Sequence, residues 1–80
     1  MFINTPAALA AYLRDCRRRQ GQTQNQTAQS VGIRQATVSA FESHPERGKV
    51  ETLFKLAAAL DLELHLIPRS CKVDHGEESW

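Results

Sequence analysis

Arg34, Gln35, Ala36, Thr37 and Ser39 place short or planar side chains next to one another. On a helix lying in a DNA major groove, such groups reach base edges. Gln bonds an adenine through two atoms, the Ala methyl meets a thymine methyl, and Arg takes a guanine edge or a phosphate. Thr37 can bond a phosphate or a base. These residues belong to the stretch from Thr23 to Glu42, TQNQTAQSVGIRQATVSAFE. It has the layout of a helix-turn-helix: a short polar helix, a turn centred on Gly32, and a second helix. Ala28, Gly32 and Val38 stand where the two helices cross closely and pack. Gly32 is required because the chain leaves the first helix of the pair with φ > 0, which a Cβ penalises.

Around this run lie further candidates for DNA contact. Gln24 opens the first helix of the pair, where backbone N–H groups and the helix dipole attract a phosphate. Arg47 and Lys49 follow the second helix and are candidate backbone contacts. For each of these groups the competing reading is a solvated side chain on a helix surface. The same choice holds for Arg17, Arg18 and Arg19, which either complement a helix dipole or contact phosphate.

Other chemistry finds little support. Asp15, Glu42 and His44 are the only conceivable acid/base groups near one another, and no nucleophile, metal set or phosphate loop accompanies them. The chain is also too short for a deep pocket, so an enzyme is not expected. Cys16 and Cys71, with His44, His65 and His75, match no zinc spacing. They read as two free thiols in a reducing compartment, with no metal or cofactor.

With 80 residues the chain is one small domain. A domain of that size buries only about 60% of its unfolded surface, which makes a dimer attractive. No apolar run approaches the roughly 20 residues of a membrane span. Met1 to Leu9 lacks the basic-then-apolar order of a signal peptide, and a cytoplasmic protein is expected. The net charge of +1 is modest for a nucleic-acid binder. Its distribution is more telling. Arg69 and Lys72 face three acids, Asp74, Glu77 and Glu78, so the tail carries −1 and the body +2.

The elements that must position these groups are legible from caps and periodicity. Thr5-Pro6 starts a helix that runs to about Gln20, with Leu9, Tyr12, Leu13 and Cys16 on one face and Gly21 ending it. Thr23 caps a second helix reaching about Val31. A third runs from about Gln35 to Glu42, with Val38 and Phe41 inward. Pro45 and Gly48 mark a loop. A fourth, about Val50 to Leu60, turns Leu53, Leu56, Ala57 and Leu60 to one side, and Phe54 extends that stripe.

Leu62 to Ile67, LELHLI, has a period of two. It reads as a strand or as a continuation of the fourth helix. A lone strand needs a partner for its N–H and C=O groups, and the simplest partner is the same strand of a second copy. His65 is then a solvent-facing cross-strand residue. Residues 68–80 are polar and read as a disordered tail, ending in Trp80, which suits a pocket on a partner.

Thr23-Gln24, Ala28, Gly32 and Val38 fill the pattern of the Cro/repressor-type (Xre) helix-turn-helix family, which this stretch resembles. Thr27 departs from it, standing where the family usually has Leu or Val. That exchange weakens packing by about 1–2 kcal/mol, unless the methyl turns inward and the hydroxyl bonds a carbonyl one turn back. Over nearly the whole chain the sequence is similar to the HipB-type antitoxins. The similar features are GIRQATVSAFESHP (residues 32–45), the Thr5-Pro6 start, Phe54-Lys55 in the fourth helix, the leucine-rich strand and the terminal Trp80.

The resemblance implies a mainly α fold. It is a four- to five-helix repressor-like domain over residues 1–67, with one short C-terminal β-strand pairing across a homodimer through Leu62, Leu64 and Leu66. Residues 68–80 form the tail. It implies two partners besides a second copy: double-stranded operator DNA and a HipA-type toxin with a protein-kinase fold, touched by the outer helices and by Trp80. The dimer neutralises the toxin and the complex represses its own operon. In related repressors the residue at the Gln24 position also hydrogen-bonds the one at the Gln35 position. A two-fold dimer should read a palindrome with half-sites about 10 bp apart. Two alternatives share the fold. One is a stand-alone phage-like repressor with no toxin. The other is an interaction module that has lost DNA binding, favoured by the modest charge and Thr27.

Overall fold

The computed structural model describes residues 2–69. Four α-helices follow one another: α1 (Pro6–Arg19), α2 (Gln24–Ser30), α3 (Gln35–Ser43) and α4 (Val50–Ala59), with a 3-10 turn at Pro45–Arg47 between the last two. Among these residues there is no strand, no helix long and apolar enough to cross a membrane, and no acidic, His or Cys cluster suited to a metal.

Local chemistry sets where the helices start. The Thr5 hydroxyl accepts from the Ala8 N–H at 3.0 Å, and Pro6 occupies the first turn, where no N–H is needed. α2 opens on a reciprocal capping box. The Thr23 hydroxyl accepts from the Gln26 N–H at 3.0 Å, and the Gln26 side chain accepts from the Thr23 N–H at 2.8 Å.

Three of the helices end in one way. In α2 the Gly32 N–H donates to the Gln29 carbonyl and the Ile33 N–H to that of Ala28, at 3.3 and 3.0 Å. The chain reverses at Gly32 with φ +71°. α1 closes likewise through Gly21. In α4 the reversing residue is Asp61, at φ +59°, and the Leu62 N–H donates to the Ala57 carbonyl at 2.8 Å. This closure ends α4 and rules out a helix continuing through 62–67. Those residues leave the body as irregular chain, because a strand needs a partner's N–H and C=O groups and the single chain offers none.

The core gathers Leu13, Cys16, Ala28, Val38, Phe41, Leu56 and Leu60, with Leu9, Tyr12, Ile33, Leu53 and Leu62 packed against it. Ala28 and Val38 are fully buried where α2 crosses α3. Phe54 does not extend the α4 stripe. It lies with Val50 and Ala58 on a neighbouring row of the helix and is 54% exposed. Leu62 packs on its own core, whereas Leu64 and Leu66 are exposed. Thr27 is fully buried, and its hydroxyl donates to the Gln22 side-chain oxygen at 2.7 Å rather than to a carbonyl one turn back. The turn through Gly21 brings Gln22 within reach, so the polar group is satisfied from outside the helix.

Candidate nucleic-acid interface

α3 packs through Val38 and Phe41, which leaves the opposite side outward. At about 100° per residue, Gln35, Ala36, Ser39, Ala40 and Ser43 share that outward side. Gln35, Ala36, Ala40 and Ser43 are exposed and Ser39 is half-buried. Ala40 and Ser43 were not singled out from sequence. The helical period beyond Ser39 places both on this face.

Thr37 stands nearly opposite Gln35 around α3 and is half-buried, so the two cannot address the same base. Arg34 is the N-cap residue of α3, exposed, with no side-chain capping bond. Arg47 and Lys49 lie beyond the other end of α3, in the 3-10 turn and at the N-cap of α4, and both are exposed. Gln35, Ala36 and Ser39 thus form an outward row on α3, with Arg34 at its start and Arg47 and Lys49 beyond its end, while Thr37 lies off that row and Gln24 opens α2. Trp80 and the tail beyond Arg69 lie outside the described residues.

At the start of α3 the side chains are tied together. Gln35 Nε2 donates to Gln24 Oε1 at 2.6 Å. Gln24 Nε2 donates to Glu42 Oε1 at 3.0 Å. Glu42 also accepts from Arg17, with Nε to Oε2 at 2.7 Å and Nη2 to Oε1 at 3.1 Å. Arg17 Nη1 completes the set by donating to the Gln22 carbonyl at 2.9 Å. The Arg17 and Glu42 side chains are only 10% and 8% exposed. Burial pushes the Glu42 carboxyl up, but the hydrogen bonds from Arg17 and Gln24 and the charges of Arg17 and Arg14 outweigh it. The group is held below its ordinary value.

This network separates residues that look alike in sequence. Arg17, Arg18 and Arg19 are not one basic surface. Arg17 is buried in the ion pair, Arg19 meets Asp15 at 3.4 Å in solvent, and Arg18 is exposed. Nor do Asp15, Glu42 and His44 form an acid/base group, since each is engaged elsewhere: Asp15 with Arg19, Glu42 with Arg17, and His44 3.7 Å from Glu46. A shallow polar depression beside Gln24 and Gln35 is lined also by Arg17, Arg18, Thr23 and Asn25. Asn25 went unnoticed in the sequence. Its position next to Gln24 at the start of α2 was the available signal.

A family model described as helix-turn-helix matches residues 13–67. The chain is 38% identical over 64 residues to Antitoxin HipB of Escherichia coli, covering 80% of this chain and 73% of that protein. It is 44% identical over 45 residues to Antitoxin HigA1 of Mycobacterium tuberculosis, covering 56% of this chain and 30% of that one. Among solved structures, a HipB–O4 20-mer complex aligns with a TM-score of 0.85 at 34% identity, covering 88% of this chain and 99% of the other. A HipA–HipB–O2–O3 complex aligns with the same score, identity and coverage. The helix-turn-helix built on α2 and α3 and the similarity along most of both chains lead to one conclusion: the chain belongs to the HipB antitoxin family of helix-turn-helix proteins.

Proposed function

We propose that the chain is an antitoxin and autorepressor: a cytoplasmic homodimer that reads a palindromic operator through α3 and neutralises a HipA-type toxin with a kinase fold. The observation that carries the DNA half of this reading is the Gln24–Gln35 bond beside an outward row of small polar side chains on α3. Gln35, Ala36 and Ser39 contact base edges. Arg34, Thr37, Arg47 and Lys49 contact phosphate, as does Gln24 beside Arg18 and Asn25. Similarity to HipB in the O4 20-mer and HipA complexes supports both partners.

The homodimer is formed by residues 62–67 pairing as a two-fold strand, which gives their backbone groups partners and covers Leu64 and Leu66. Trp80 anchors the tail to the toxin. Truncation before Pro68 should weaken toxin affinity; unchanged affinity would remove Trp80 from the interface.

The deciding experiment is a mobility shift on the DNA directly upstream of this chain's gene, across a salt series, with Gln35→Ala beside the parent. Sequence-specific binding that weakens steeply with salt and loses specificity in the variant is the expected result. Absence of specific binding at low salt would overturn the repressor reading.

A further inference from the structure

We propose that Glu42 is a positioning residue for base readout: through Gln24, its carboxylate decides which end of the Gln35 amide points outward. The inference rests on the DNA-reading function above and adds to it the origin of the preference at one base.

The argument is one of donors and acceptors. A carboxylate has no proton to give. Arg17 occupies both Glu42 oxygens from one side, and the remaining bond on Oε1 must come from a donor. Gln24 therefore turns its NH₂ group toward Glu42, which leaves its Oε1 facing Gln35. Only a donor suits that oxygen, so Gln35 approaches with Nε2, at 2.6 Å. Gln35 is left with one free N–H and a free Oε1, one donor beside one acceptor.

That is the complement of the adenine edge in the major groove, where N7 accepts and N6 donates. Were Gln24 reversed, its NH₂ would face Gln35 and hold Gln35 Oε1, leaving two N–H donors outward. That arrangement suits guanine, whose N7 and O6 both accept. The buried Arg17–Glu42 pair thus selects between two base preferences without touching DNA. The side chains of the pair are 10% and 8% exposed, so the origin of the relay is held still.

The test uses the full-length protein and the upstream fragment. Footprinting locates the site, and duplexes carrying each base at each half-site position are compared. The position contacted by Gln35 is the one whose preference disappears in Gln35→Ala. There the parent protein should prefer adenine over guanine by about ten-fold or more. Glu42→Gln can present either end of its amide to Gln24 and should bring that ratio to within about two-fold, leaving other positions unchanged. A ratio of affinities is insensitive to lost stability, because a smaller folded fraction lowers every affinity equally. Gln24→Met keeps the ion pair and cuts the relay, so it should collapse the same ratio, and it carries the test if Glu42→Gln fails to fold. Retention of the parent ratio in either folded variant would overturn the relay while leaving the repressor reading intact. A parent protein without specific binding would overturn both.

Discussion

The helix pair α2–α3 and the chain after α4 solve the same problem in opposite ways. Around the helix pair no buried side-chain polar atom is left without a hydrogen-bond partner among the described residues. After α4, residues 63–69 make no backbone hydrogen bond to the body, and Leu66 and Ile67 are 91% and 80% exposed. The difference teaches where this fold can be completed. A helix satisfies its own backbone, so one chain suffices for the helix-turn-helix. Residues 63–69 leave their N–H and C=O groups to solvent, where the proposed strand pairing would engage them.

The contrast breaks most severely at the buried ion pair. Glu42→Ala should lower stability by about 3–5 kcal/mol, since Arg17 would remain buried and unpaired; urea unfolding measures it. The same group sets a pH dependence. Its folded-state value is lowered, so its contribution is complete above the ordinary carboxylate value and disappears as pH falls through the lowered one. Stability of the parent should fall with acid over that window, and Glu42→Gln should show a flatter profile.

Two leucines sharpen the comparison next. Leu60 is 2% exposed and Leu66 is 91% exposed. Leu60→Ala should cost about 2–5 kcal/mol. Leu66→Ala should change the chain's own stability by less than about 0.5 kcal/mol yet weaken dimerisation, read as a shift in the concentration dependence of mass by light scattering. Equal losses of stability would show that residues 62–67 pack within one chain.

Smaller effects test the turns and the surface. Gly32→Ala should cost about 1–2 kcal/mol through φ alone, because a Cβ there meets nothing within 4 Å. A thermal melt would show it. Asp15→Asn should cost under about 0.5 kcal/mol, because the Asp15–Arg19 pair stands in solvent with both side chains about two-thirds exposed. The same kind of bond differs this much in consequence according to whether water still reaches it.

Much of the fold is legible in the amino-acid order. Thr5-Pro6, Thr23, Gly21 and Gly32 act within a few residues of themselves, so the limits of α1 and α2 are local matters. α3 and α4 carry no side-chain cap at their starts, and their apolar period marked them instead. The end of α4 was less plain, because Asp61 performs a reversal usually given to Gly. On α3, with Val38 and Phe41 inward, Gln35, Ala36 and Ser39 are legible as outward, and the same period carried further reaches Ala40 and Ser43. Phe54 differs from expectation because residue type suggested a place in the apolar stripe that its angular position around α4 denies it.

Caps, turns and the facing of each helix are properties of neighbours in the chain, and the amino-acid order was enough for them. The fate of Arg17 was not among them. The period that turns Leu9 and Leu13 inward carries Arg17 to the same face and leaves Arg18 and Arg19 off it, but it names no partner for the buried charge. Its partner Glu42 lies 25 residues away, and the two meet because α1 packs against α3. The order of donors and acceptors from Arg17 to Gln35 likewise exists only once three helices converge. Hydrogen bonds depend on distances of about 3 Å, and between remote residues such distances are a consequence of packing.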